Sequence, residues 1–144
     1  MNESGDITTD SPEETVKWGN ELAAVLKPGD TILLIGDLGA GKTVIARGIA
    51  AGTGYTGVVS SPSFSLVKIY RGKLTMNHCD LYRLDPESDL RNIGLEEMIE
   101  EENSITVFEW GEKFPLAKTK PRWEIRIKIT GGINQRQINW KNIP

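Results

Sequence analysis

The sequence predicts an α/β fold: one domain with a mixed central β-sheet and flanking helices. Three observations carry that expectation. A short apolar run at residues 31–35 leads through a glycine-rich segment into a helical pattern, a strand–loop–helix unit. A second apolar run at residues 105–108 ends on an acid. Two further segments alternate around short glycine-bearing turns and read as hairpins.

The elements follow in chain order. Residues 1–10 are polar and are expected to form a flexible arm. Ser11-Pro12-Glu13-Glu14 fits a capping box with proline at the first helical position. Trp18, Leu22, Val25 and Leu26 then recur at i, i+4, i+7 and i+8, one apolar stripe, until Lys27-Pro28-Gly29 stops it. Thr31-Ile32-Leu33-Leu34-Ile35 is apolar on both faces, as a buried parallel strand is. Residues 44–51 read as a helix closing at Gly52. Residues 64–70 and 74–80 flank Arg71-Gly72-Lys73 as a hairpin, and residues 86–102 read as an acidic helix interrupted near Gly94. Residues 105–108 form a second buried strand ending at Glu109, and residues 118–121 a basic loop. Residues 123–129 and 133–140 pair as a C-terminal hairpin around Thr130-Gly131-Gly132.

Composition narrows the function. At 144 residues the chain is one domain's worth, residues 1–144, with no repeat and no linker. No run reaches the roughly 20 apolar residues that a bilayer requires, so no membrane partner is expected. The N-terminus lacks the basic and apolar regions of a secretory leader, which makes a cytoplasmic protein the expectation. Cys79 and His78 are the single residues of their kinds, excluding an internal disulfide and a cysteine or histidine metal cluster. A net charge of −3 argues against a protein that holds nucleic acid through its own global charge. If the chain works on RNA, a partner holds the RNA.

Gly36-Asp37-Leu38-Gly39-Ala40-Gly41-Lys42-Thr43 matches G-x-x-x-x-G-K-[ST] at every fixed position. Glycines let successive backbone N–H groups turn inward onto phosphate oxygens, and the following helix adds its N-terminal dipole. Lys42 brings positive charge to the β and γ phosphates, and the Thr43 hydroxyl can ligate Mg²⁺. A P-loop NTPase-like domain is therefore expected, with residues 37–43 as the phosphate cradle.

Hydrolysis or transfer also needs metal ligation and a group that organises the attacking oxygen. Glu109 closes the apolar strand and fits the second carboxylate best; Asp80, closing a more polar strand, fits next. One division puts Glu109 near the Mg²⁺ shell and Asp80 on a metal-bound or attacking water, but spacing alone leaves their roles open. Ser60-Ser61-Pro62-Ser63-Phe64-Ser65 is either a γ-phosphate-sensing switch or a polar turn kept extended by Pro62. Trp110 reads as core or as a contact near the nucleotide. His78 is expected to hydrogen-bond locally within its hairpin. Tyr82 and Arg83 suit an exposed patch, and Glu96, Glu97 and Glu100 to Glu102 a solvated helix face.

Together these blocks resemble one family, the small bacterial P-loop ATPases called TsaE, earlier YjeE. The resemblance rests on the loop at residues 36–43, on Ser61-Pro62-Ser63-Phe64, on His78-Cys79-Asp80-Leu81-Tyr82-Arg83-Leu84, and on Glu109-Trp110 with Glu112. It implies an ATP- and Mg²⁺-binding accessory that hydrolyses slowly alone and acts on the TsaB and TsaD proteins. TsaD would perform the threonylcarbamoyl transfer to adenosine 37 of tRNA. It further implies Thr43 and Glu109 in the magnesium site, Lys42 on the phosphates, Asp80 supporting hydrolysis, Trp110 near the nucleotide and Ser63 in a switch-like loop. Ser63 stands where the family commonly has threonine, which keeps the hydroxyl. ATP is preferred through the resemblance, and no N-K-x-D guanine signature is present.

Two other function classes share the cradle. A small-molecule kinase would add an arginine-bearing lid, which the scattered Arg71, Arg83 and Arg91 do not suggest. A nucleotide-dependent binding module would use ATP only to choose a conformation. No arginine finger is identifiable, so a slow solitary rate is expected.

Overall fold

The computed structural model describes residues 1–37, 39–60, 67–83, 101–113 and 121–144. Ser4–Thr9 forms β1, Pro12–Ala23 forms α1, Thr31–Ile35 forms β2 and Lys42–Gly52 forms α2. Val67–Tyr70 is β3 and Thr75–Asp80 is β4. Ser104–Glu109 is β5, Arg122–Ile129 is β6 and Arg136–Ile143 is β7. The strands make one mixed sheet in the order β1-β7-β6-β2-β5-β4-β3. β6, β2, β5 and β4 run parallel at its centre, while β3 at one side and β7 and β1 at the other are antiparallel to their neighbours. The expected α/β class with a mixed sheet is what the chain forms.

The central strands are buried because side chains on both faces are apolar. Ile32, Leu34, Met76, Ile105 and Val107 share one core with Trp18 and Leu22 of α1 and Ile45 and Ile49 of α2. Leu33 and Phe108, one residue out of phase, are buried on the opposite face. α1 starts as its sequence dictates: Ser11 Oγ accepts from Glu14 N at 3.1 Å, and Glu14 Oε2 accepts from Asp10 N at 2.5 Å. Its stripe then lies on α2 so closely that a Cβ on Gly48 would sit 2.4 Å from the Val16 carbonyl oxygen.

Two expectations change here. Residues 1–10 are not a loose arm, since Ser4 to Thr9 pair antiparallel with Lys141 to Arg136. A polar edge strand needs no apolar face when the ladder and its borders supply the bonds. Trp140 Nε1 donates to the Asn2 carbonyl at 3.0 Å, and Asn139 Nδ2 donates to Asp6 Oδ1 at 2.9 Å. The C-terminal hairpin has a longer connection than its glycines suggest. β7 begins at Arg136, because Gln135 N bonds the Gly132 carbonyl and holds residues 130–135 in the turn. In the first hairpin β3 begins at Val67, and residues 64–66 lie outside the described residues.

The acidic helix expected at 86–102 lies outside the described residues apart from Glu101 and Glu102, which form a turn before β5. The basic loop at 118–121 lies outside them apart from Pro121. Among the described residues no helix is long and apolar enough to cross a membrane.

Candidate functional site

Parallel strands deliver their carboxyl ends to one edge of a sheet, where α/β proteins place ligands. Here β2, β5 and β4 do so in register, Leu34 opposite Glu109 and Glu109 opposite Asp80. On one face β5 runs Ile105, Val107, Glu109 and β4 runs Met76, His78, Asp80. Both strands therefore carry apolar residues under the helices and end on a carboxylate beside the loop that leaves β2.

That loop curls through two left-handed glycines, Gly39 at φ 82° and Gly41 at φ 113°. Gly41 is the N-cap of α2 and offers no side chain to the helix's first amides. Those amides and the aligned peptide dipoles are a ready anion site, and no acid occupies the first turn to oppose one. Thr43 is half-buried as the second residue of α2. Asp37 is exposed, Ala40 is buried, and Leu38 lies outside the described residues. Ser63, with the rest of residues 61–66, also lies outside them.

Lys42 is only 5% exposed and donates to the Gly36 carbonyl at 2.8 Å. Its ammonium lies 3.7 Å from the centre of the Trp110 ring, a cation–π contact. Burial lowers its pKa, against the opposing fields of Glu109, Glu112, Asp80 and Asp37. Trp110 gets there through a left-handed backbone, φ 64°, directly after β5. A bulky residue in that region costs on the order of 1–3 kcal/mol and persists where the surroundings impose it. Its ring also meets that of Tyr82, with centroids 5.0 Å apart. Tyr82 is half exposed and Arg83 exposed, as expected for this stretch.

The two carboxylates differ in setting. Glu109 is buried, and its Oε2 lies 2.6 Å from His78 Nε2. Asp80 is half-buried, and its Oδ1 accepts from Tyr82 N at 3.0 Å. His78 therefore bonds across to β5 and not locally within its hairpin. Its parallel neighbour lies on the side of β4 away from β3, which a hairpin reading omits. Among the described residues no group of three or more His, Cys, Asp or Glu forms a metal cage.

One contribution has no motif behind it. Arg136 of β7 donates from Nε to the Ala40 carbonyl at 2.8 Å, tying the C-terminal hairpin to the loop. Beside it, Pro12, Thr15, Gly41, Val44, Asn134 and Arg136 line a cavity of about 40 Å³. The period-2 alternation of β4 could have put His78 on Asp80's face, but nothing local marks Arg136.

A family model described as threonylcarbamoyl adenosine biosynthesis protein TsaE matches residues 9–138. The chain belongs to the TsaE family. A TsaE of Treponema pallidum, named as a tRNA threonylcarbamoyladenosine biosynthesis protein, is 35% identical over 119 residues, 83% of this chain and 86% of the relative. The TsaE of Bacillus subtilis is 38% identical over 133 residues, 92% and 82% respectively. In structure, this TsaE family member superposes on the crystal structure of Bacillus subtilis YdiB with a TM-score of 0.80 at 34% identity. That match covers all of this chain and 88% of the other. The matched span contains the loop, both strand-end carboxylates, Trp110 and Arg136.

Proposed function

We propose that the chain is a Mg²⁺-dependent ATPase that drives or resets the TsaB–TsaD pair during threonylcarbamoylation of adenosine 37 of tRNA. It works in the cytoplasm, with the tRNA held by the partners. The observation that carries this reading is that Lys42 and Thr43 open α2 at the loop while Glu109 and Asp80 close β5 and β4 side by side at the carboxyl edge of the parallel strands.

The loop amides of residues 37–43 and the α2 N-terminus take the phosphates. Lys42 leaves the Gly36 carbonyl for the β and γ phosphates, exchanging a neutral acceptor for a charged one. Ser63 senses the γ-phosphate from the switch-like loop. Thr43 and Glu109, with Asp80 adjacent, would hold Mg²⁺, an ion commonly bound by one or two carboxylates together with phosphate oxygens and water. When bound it neutralises charge across the β and γ phosphates. Asp80, the more open carboxylate, orients the attacking water and takes its proton. Water oxygen bonds to the γ-phosphorus as the bond to the ADP oxygen breaks.

A slow solitary rate follows from the arginine beside the loop. Arg136 is occupied by the carbonyls of Ala40, Ile133 and Gln135, so a partner supplies or orders the missing charge. The test is phosphate release by the chain alone and after addition of TsaB and TsaD. Slow release that the pair accelerates supports the proposal. Stoichiometric transfer of phosphate to a small metabolite would replace it with a kinase.

A further inference from the structure

His78 is completely buried, yet nothing in the proposed hydrolysis uses it. Its Nε2 lies 2.6 Å from Glu109 Oε2, and its Nδ1 has no hydrogen-bond partner among the described residues. A carboxylate only accepts, so Nε2 is the donor to Glu109, and Nδ1 is buried with no partner. For packing alone this is a poor choice. A leucine or methionine in the middle of β4, near the Tyr70 ring, would fill the space without an unpaired nitrogen. What imidazole adds is one rigid donor aimed at one oxygen of Glu109.

The neighbouring cation shows why a fixed donor matters. Glu109 has Lys42 within electrostatic reach, yet its hydrogen-bond partner is His78, while Lys42 bonds the Gly36 carbonyl. A carboxylate free to turn onto Lys42 would neutralise the charge needed at the phosphates and withdraw its own oxygens from a cation.

We infer that His78 is a positioning residue for Glu109: it holds one carboxylate oxygen, keeps the group off Lys42, and leaves the other oxygen for a divalent cation. The inference rests on Glu109 as the cation-side carboxylate of the proposed site. Partners of this kind that fix a metal-binding side chain set metal affinity, commonly by about 10–100-fold.

The experiment is a titration of ATP binding in EDTA and across a Mg²⁺ series, with a thermal melt of each variant. His78→Leu keeps ATP affinity in EDTA, and its half-saturating Mg²⁺ concentration rises by about tenfold or more. His78→Asn, polar but too short to reach Glu109, behaves the same way. His78→Gln, which can place an N–H near the lost Nε2, recovers most of the magnesium response. A histidine serving only the fold would move the melt and leave half-saturation unchanged, and that result overturns the inference. Should His78→Leu fail to fold, the comparison of Gln with Asn decides, equal magnesium responses being contradictory. Glu109→Gln separates the two possible failures. If it too keeps the full response, Glu109 is not the cation-side carboxylate and both readings fall. If it loses the response while the His78 variants keep it, only the role of His78 falls.

Discussion

Lys42 is held by its own Gly36 carbonyl and the face of Trp110. Both contacts are weaker than a bond to an anion, so the ammonium is ready to transfer. Hydrogen bonds to charged groups are worth about 1.5–3 kcal/mol, so Lys42→Ala should weaken ATP binding by roughly 10–100-fold in calorimetry. Unchanged affinity would remove Lys42 from the phosphate site. Cys79 gives a second prediction. Burial in the sheet pushes its thiol far above the ordinary value of 9.0, so it stays protonated and shielded. A thiol reagent should label it only as fast as the protein opens, and at once in denaturant. At this scale the sequence told most about the loop, because glycine spacing encodes backbone conformation directly. It told least about the bond from His78 to Glu109, which spans 31 residues and forms through a parallel pairing.

The elements carry the site through two kinds of contact that a residue pattern conveys unequally. The buried strands were legible from their apolar runs, and α1 from Ser11-Pro12 and its stripe. β1 was not, because its pairing with β7 is made by backbone and by polar side chains that also suit a loose arm. The approach of α1 and α2 was equally silent, since Gly19 and Gly48 matter only for what faces them. Gly48→Ala tests that contact. Alanine favours a helix over glycine by about 1 kcal/mol, but its Cβ would meet the Val16 carbonyl oxygen at 2.4 Å. Backbone of a packed helix cannot step aside cheaply, and overpacking of this kind costs about 1–3 kcal/mol. The net expectation is a Tm lower by several degrees, and an unchanged or higher Tm would show that the helices can slide apart.

Across the whole molecule, the sheet is both scaffold and core, so ionisation within its borders is felt as stability. Tyr70 ends β3 and donates to the Ser60 carbonyl at 3.0 Å, and burial raises its pKa above the ordinary 10.0. The unfolded phenol ionises at the ordinary value while the folded one keeps its proton. Its contribution is therefore intact below pH 10.0 and lost as pH rises through the folded value. Urea midpoints should hold up to about pH 10 and fall above it, and Tyr70→Phe should make that fall shallower. The acidic balance of −3, read from composition as a bar to nucleic acid, agrees with the proposal that the chain handles ATP and leaves tRNA to partners. Composition could suggest that division, but it could not reveal that an ammonium, a hydroxyl and two carboxylates, from α2, β4 and β5, lie at one sheet edge. Phosphate release with TsaB and TsaD present, comparing the native chain with Lys42→Ala, tests that claim most directly. Native chain accelerated by the pair, with release abolished by the substitution, is the predicted result. Fast release by the isolated chain, or release that survives loss of Lys42, would contradict it.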